Sequence, residues 1–381
     1  MQLNASNRPR LVLHIGTDKA GSTAIQSHLA LNRSWLGRRH CYVPLVGLGS
    51  NNGHAQLFQQ ADAELWVELA EEVQTAVSEG AQQIVLSWEG LNFFNAQALA
   101  TLQENLPALP LKIVIYVREQ AEIVQSGFLQ EIKRLANTCP ITTFQSKTLI
   151  LRLRQQRRAR YPVTRDYYRL ARRWEKAFPQ PDMAVRLFSK DHLRGGDVIE
   201  DFLYCLGLEL STDFVRLEGP GNPSLDAVSG YLIDQMRQLG VPRQELEQLV
   251  DVALSVNAHI ASEDRFFLDQ HTVDGIRRHF DGSNRKLASR YLGQSGNPFD
   301  CQKMAWASEG EEGIRRRLLQ KMRQLSAVDS IVSFSGEGLA GADIQKAGLL
   351  QSGWQTSQSW GCWCEGSRST LYFRVLRQRL L

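Results

Sequence analysis

Apolar positions alternate between two textures along this chain. Four short runs, at residues 11–15 (LVLHI), 84–86 (IVL), 112–117 (KIVIYV) and 185–188 (VRLF), read as strands, the first three of them buried. Between them apolar residues recur at helical steps. Leu65, Leu69, Val73 and Val77 form one such stripe, closed by Gly80 as a C-cap. A second helix starts after Arg118 and carries Ile123, Ser126, Gln130 and Lys133 on one side. Residues 198–206 form a further amphipathic helix stopped by Gly207. The turn cluster at 219–224 opens a helical region reaching about Asn257, and another helix spans about 273–292. Strands alternating with helices predict an α/β fold, a three-layer parallel sheet with flanking helices.

Ligands of such sheets bind outside the carboxyl ends of the strands. Three features fall there: the loop after the first strand, Glu89 after the second, and Arg118 after the third. The loop carries Gly16 and Gly21, and Ser22-Thr23 then open a helix with Ile25 and Leu29 on one face. Backbone N–H groups and the positive end of a helix dipole converge there, which predicts a phosphate cradle. The spacing nearly matches G-x-x-x-x-G-K-[ST], but Ser22 stands where that motif places lysine, and the cation sits inside the loop as Lys19. His54 closes a glycine- and asparagine-rich loop (43–53) and is a second candidate base beside Glu89. His14, inside the first strand, is expected to be a packed core histidine.

Composition narrows the class only mildly. The chain has 381 residues, 43% hydrophobic, and a net charge of +4, which predicts no nucleic-acid partner. No apolar run approaches the ~18 residues of a membrane span, and the polar start lacks the apolar stretch of a secretory leader. Six cysteines at 41, 139, 205, 301, 362 and 364 offer no zinc spacing, so reduced thiols and a cytoplasmic location without a metal are expected. One cluster stands out: residues 152–173 hold nine arginines against a single acid, Asp166. It reads either as a solvated helical face or as a platform for an anionic polymer or membrane surface.

Thr17-Asp18-Lys19-Ala20-Gly21-Ser22-Thr23 resembles the 5′-phosphosulfate loop, T-x-K-x-G-[ST]-[ST], of sulfotransferases that use 3′-phosphoadenosine-5′-phosphosulfate (PAPS). Arg118, with Ser126 eight residues on, resembles the pair that grips the 3′-phosphate in that family. Residues 174–208, Ser283-Asn284 and Arg290-Tyr291 are similar to bacterial members that modify carbohydrates. The resemblance implies a P-loop NTPase-like sulfotransferase fold over residues 1–304. It implies transfer of a sulfuryl group from PAPS to a hydroxyl, less readily an amine, of a carbohydrate or glycolipid.

In that reading Lys19 neutralises the leaving oxygen. Thr17, Lys19, Ala20, Gly21, Ser22 and Thr23 hold the 5′-phosphate end, Arg118 and Ser126 hold the 3′-phosphate, and Glu89 or His54 is the base. Asn284 either contacts the nucleotide or caps a helix. Asp18 and Ala20 depart from common residues of the family's loop. A P-loop small-molecule kinase and a catalytically inactive polysaccharide-binding relative are the alternatives. Residues 305–328 are expected as a helical linker and 329–381 as a Trp- and Gly-rich β-type extension, shorter than the bacterial module it resembles.

Overall fold

The computed structural model describes residues 8–17, 19–59, 62–135, 165–217, 225–238, 240–257 and 270–299. Asp18, most of the arginine-rich stretch, the linker at 305–328 and the extension at 329–381 lie outside the described residues.

The chain divides into two units. The first (Met1–Ile123, Leu151–Gly221 and Gly275–Gln302) carries a five-stranded, all-parallel sheet. Its elements in order are β1 (Arg10–Ile15), α1 (Ser22–Leu31), α2 (Arg33–Gly37), β2 (Cys41–Tyr42), α3 (Ala55–Gln59), α4 (Ala63–Ser78), β3 (Gln83–Trp88), α5 (Ala96–Asn105) and β4 (Leu111–Val117). Helix α6 (Gln120–Lys133) starts in this unit and ends in the second. Then come α7 (Tyr167–Ala177), β5 (Asp182–Leu187) and α8 (Val198–Cys205). The strand order is β2-β3-β1-β4-β5. Central β1 pairs with β3 on one side and β4 on the other, so the chain reverses direction across the sheet there. That reversal is where a parallel sheet opens a crevice at its strand ends.

Side chains alternate along the strands and feed two cores. Leu11, Leu13, Ile15, Leu86, Ile113 and Ile115 face one way, beneath Trp66 and Leu69 of α4, Leu99 of α5 and Trp174 of α7. Val12, Val85, Val114 and Tyr116 face the other, beneath Ile25 of α1 and Phe202 of α8. Each such fully buried aliphatic side chain contributes about 1.5–3 kcal/mol relative to exposure. Both faces are covered, which is why these strands lack a polar alternation.

Local signals account for most boundaries. Asp62 caps α4, its carboxylate accepting from the Glu64 N–H, and Gly80 follows that helix at φ 102°. The two-residue β2 and helix α5 lie beyond what the pattern predicts. The first is too short for an apolar run, and the second has its apolar residues spread thinly. The helix expected over 273–292 starts earlier, as α11 (Gln270–Leu287), and ends in a π-helical turn at Ala288–Leu292.

The second unit (Val124–Ile150, Asn222–Asp274 and Lys303–Leu381) is helical among its described residues. It holds α9 (Ala227–Gln238), α10 (Arg243–Asn257) and the later part of α6. Gly230 of α9 packs against the Leu129 side chain of α6, which a Cβ there would force to shift. No helix of the described residues is long and apolar enough to cross a membrane.

Candidate active site

The loop after β1 is built from inside the sheet. Thr17, 1% exposed, donates its hydroxyl to the Tyr116 carbonyl of β4 at 2.6 Å. The Ala20 N–H then returns to the Thr17 carbonyl at 3.3 Å. Lys19 adopts φ 61° and Gly21 φ 84°, both left-handed, and the turn delivers Ser22 as the first residue of α1. A Cβ on Gly21 would meet Phe188 at 2.8 Å, and one on Gly16 would collide with Ser22 Oγ and lie 2.8 Å from Glu89 Cγ. Both glycines are therefore required by close approach. Gly16, Ser22 and Glu89 converge at one point.

Ser22 Oγ is buried there and has no hydrogen-bond partner among the described residues. The N-terminus of α1 carries no side-chain cap and no acid in its first turn. An uncapped helix start beside an orphaned hydroxyl is incomplete as it stands, and an anion satisfies both. Thr23, at the second helical position, is exposed.

Arg118 leaves the end of β4 and returns to the loop. Its Nη1 donates to the Lys19 carbonyl at 3.1 Å and its Nε to Glu122 at 2.5 Å. The guanidinium lies 5.7 Å from the Phe188 ring centroid. Tyr167 fixes the backbone below, donating to the Arg118 carbonyl at 2.7 Å. Glu122 has no place in the expected site; its i,i+4 spacing from Arg118 is the signal that predicts the pair. The ion pair keeps Arg118 oriented and sets a carboxylate against any anion approaching it.

Glu89 begins a 3₁₀ turn (Glu89–Phe93) directly after β3, half-buried, with its Cγ against Gly16. Asn92 of that turn, fully buried, donates to the Gly16 carbonyl at 3.1 Å and to the Glu89 carbonyl at 2.9 Å. It thereby ties the loop to the residue expected to act as base. Nothing in the sequence singles it out.

Three expected site residues behave differently from expectation. Thr17 spends its only hydroxyl proton on Tyr116, so its side chain shapes the loop and offers no donor to a phosphate. His54 does not sit on a loop that closes over the cleft. It is 1% exposed, its Nδ1 accepts from the Ser87 N–H at 3.1 Å, and its Nε2 faces the Pro44 carbonyl at 3.1 Å. With both ring nitrogens engaged inside the protein, it is a packing histidine. Asn284 neither caps α11 nor faces a crevice: it is 2% exposed and exchanges both amide bonds with Gln120, at 2.8 and 3.1 Å. Ser126 lies on α6, half-buried and in the second unit.

His14 is fully buried beside Ser87, its Nδ1 2.8 Å from Ser87 Oγ. Burial pushes the His14 imidazole down to about 3, and that of His54 to about 4. Both folded values lie below the unfolded value of about 6.5, so the unfolded chain takes up protons first as the pH falls. Stability is then complete above pH ~6.5 and decreases on acidification by about 1.4 kcal/mol per pH unit for each histidine. Urea unfolding at neutral and mildly acidic pH should show this slope; equal free energies at both would refute it.

No family model matches the chain. An uncharacterized protein of Archaeoglobus fulgidus is 25% identical over 211 residues, 55% of this chain and 54% of that protein. The chain thus spans about half the length of this relative. A solved structure, the sulfotransferase from Alicyclobacillus acidocaldarius, aligns over 66% of this chain and 98% of its own, with 16% identity and a TM-score of 0.35. Among the described residues no cluster of histidine, cysteine, aspartate or glutamate could hold a metal ion.

Proposed function

We propose that this chain is a PAPS-dependent sulfotransferase acting on a hydroxyl, less readily an amine, of a carbohydrate or glycolipid in the cytoplasm. The observation that carries the reading is the orphaned Ser22 hydroxyl at an uncapped helix start, in a loop whose only cation is Lys19. An ATP-type loop places its lysine at the Ser22 position to reach β- and γ-phosphates. A donor with a sulfuryl group beyond its 5′-phosphate has no γ-phosphate and needs charge nearer the bridging oxygen.

In this reading the backbone N–H groups at the start of α1, with Ser22 and Thr23, hold the 5′-phosphate. Lys19 neutralises the oxygen that leaves. Glu89 takes the acceptor's proton as the new S–O bond forms and the S–O bond to the phosphate breaks, so a sulfated acceptor and adenosine 3′,5′-bisphosphate result. Positioning and charge stabilisation supply most of the acceleration in a loose transfer of this kind. Arg118, held beside the loop by its bonds to Glu122 and the Lys19 carbonyl, serves the 3′-phosphate.

Calorimetry tests the donor half directly. Adenosine 3′,5′-bisphosphate should bind while ATP–Mg²⁺ does not, and Arg118→Ala should weaken the bisphosphate by about 2 kcal/mol, roughly 30-fold. Selective binding of ATP–Mg²⁺ would turn the reading towards a kinase. Unchanged affinity in Arg118→Ala would remove that residue from the site.

A further inference from the structure

Helices α5 and α7 lie side by side over one face of the sheet and leave a groove of about 730 Å³ between them. Helix α7 is strongly two-sided. Tyr167, Leu170, Ala171 and Trp174 are buried, while Arg169, Arg172, Arg173 and Lys176 line the groove. Those four recur at i, i+3, i+4 and i+7, one stripe about 10 Å long. Among the described residues no acid lines the groove.

The positive charge is only partly compensated. Arg169 meets Asp166 at 3.3 Å and Arg172 pairs with Glu175, both within α7 or at its cap. Lys176 is exposed and has no acidic partner among the described residues. Arg173 donates from Nη2 to the Asn92 carbonyl at 3.1 Å, but its Nε is buried without a partner among the described residues. Burial lowers the pKa of this guanidinium, so an arriving anion relieves a charge held at a cost.

The opposite wall is of another kind. Ala96 and Ala100 of α5 give a low, exposed apolar surface, with Gln103 beside it and the Tyr168 ring at the α7 side. We propose that this groove binds an acidic oligosaccharide, one whose sugar rings carry carboxylate or sulfate groups. Arginine forks take such groups in bidentate fashion, and the apolar wall with the tyrosine ring takes the C–H faces of the sugar. The lining favours sugar over acidic peptide. Its side chains are mostly donors, with Gln103 and the Tyr168 hydroxyl the exceptions, which suits a ligand dense in hydroxyl, ether and acid oxygens. The carbohydrate class rests on the acceptor reading above and deepens it. Through Arg173 and Asn92 the groove connects to Gly16 and Glu89, so an acidic chain held there is anchored one residue away from the loop.

Calorimetry on the full chain at low salt, with a sulfated, uronate-containing tetrasaccharide, tests this. The tetrasaccharide should bind the wild type, and the double variant Arg169→Glu/Lys176→Glu should bind it at least ~10-fold more weakly. Both residues are exposed, so circular dichroism and bisphosphate affinity should be unchanged in that variant. Equal binding by the double variant overturns the groove. Equally tight binding of a neutral tetrasaccharide or of tetraglutamate overturns the acidic-sugar assignment. Loss of sugar binding in the variant of a chain that never binds bisphosphate would uphold the groove and defeat the sulfuryl-transfer reading. Bisphosphate binding with no response to the tetrasaccharide would do the reverse.

Discussion

Replacing Lys19 by alanine should lower single-turnover sulfuryl transfer from PAPS by about 10²- to 10³-fold, the usual loss when one charge-stabilising group is removed. Bisphosphate affinity should change far less, because the product lacks the sulfuryl group and its bridging oxygen. The backbone offers an internal control. Lys19 sits at φ 61°, a left-handed conformation that costs a side-chain-bearing residue about 1–2 kcal/mol. Lys19→Gly should therefore unfold at a higher temperature than Lys19→Ala while losing turnover just as fully. Turnover within a few-fold of wild type in either variant would end the assignment of Lys19 to the leaving oxygen.

The second large effect is on stability. Asp201 of α8 is fully buried and receives four donors: Arg186 through Nε at 2.9 Å and through Nη2, the Tyr116 hydroxyl at 2.8 Å, and the Arg194 N–H at 3.0 Å. The pairing raises the Arg186 pKa, chiefly through these hydrogen bonds. Asp201→Ala strands a partly buried guanidinium and a buried phenol together, so it should cost about 3–5 kcal/mol. Tyr116→Phe removes one bond of the same cluster and should cost only about 1 kcal/mol. Urea denaturation of both variants decides the matter. If the aspartate variant loses no more than the tyrosine variant, the stranded Arg186 charge is not what makes the aspartate indispensable.

How far the sequence reveals this molecule differs by element. The four runs fall in β1, β3, β4 and β5; the first three are covered on both faces and so almost wholly apolar, while β5, at the sheet edge, keeps Asp182 exposed and Arg186 half-buried. Their alternation with helices is enough to predict a parallel sheet, and the loop, Glu89 and Arg118 do follow successive strand ends. Partnerships made across long separations are hidden. Thr17 with Tyr116, His54 with Ser87 and Pro44, and Asn284 with Gln120 each join residues from different elements, and the last pair is 164 positions apart. Residue type alone gives a threonine, histidine or asparagine equal claim to a ligand or to a buried neighbour, and here neighbours won. Glu122 is the opposite case: its i,i+4 relation to Arg118 is legible in the sequence, yet a pattern of phosphate-binding residues has no place for a carboxylate.

The bonds that shape the loop come from Thr17, Ala20 and Arg118, and each ends on the protein's own backbone. The turn that presents the helix start is thus folded in advance, and its chain entropy is spent during folding. On the proposed reading, a nucleotide arriving there would meet a turn with little left to order, so its association should be governed by diffusion and charge. Discrimination among anions of similar shape then falls to side chains around the cradle, and a relative could keep the same turn while exchanging one ligand for another.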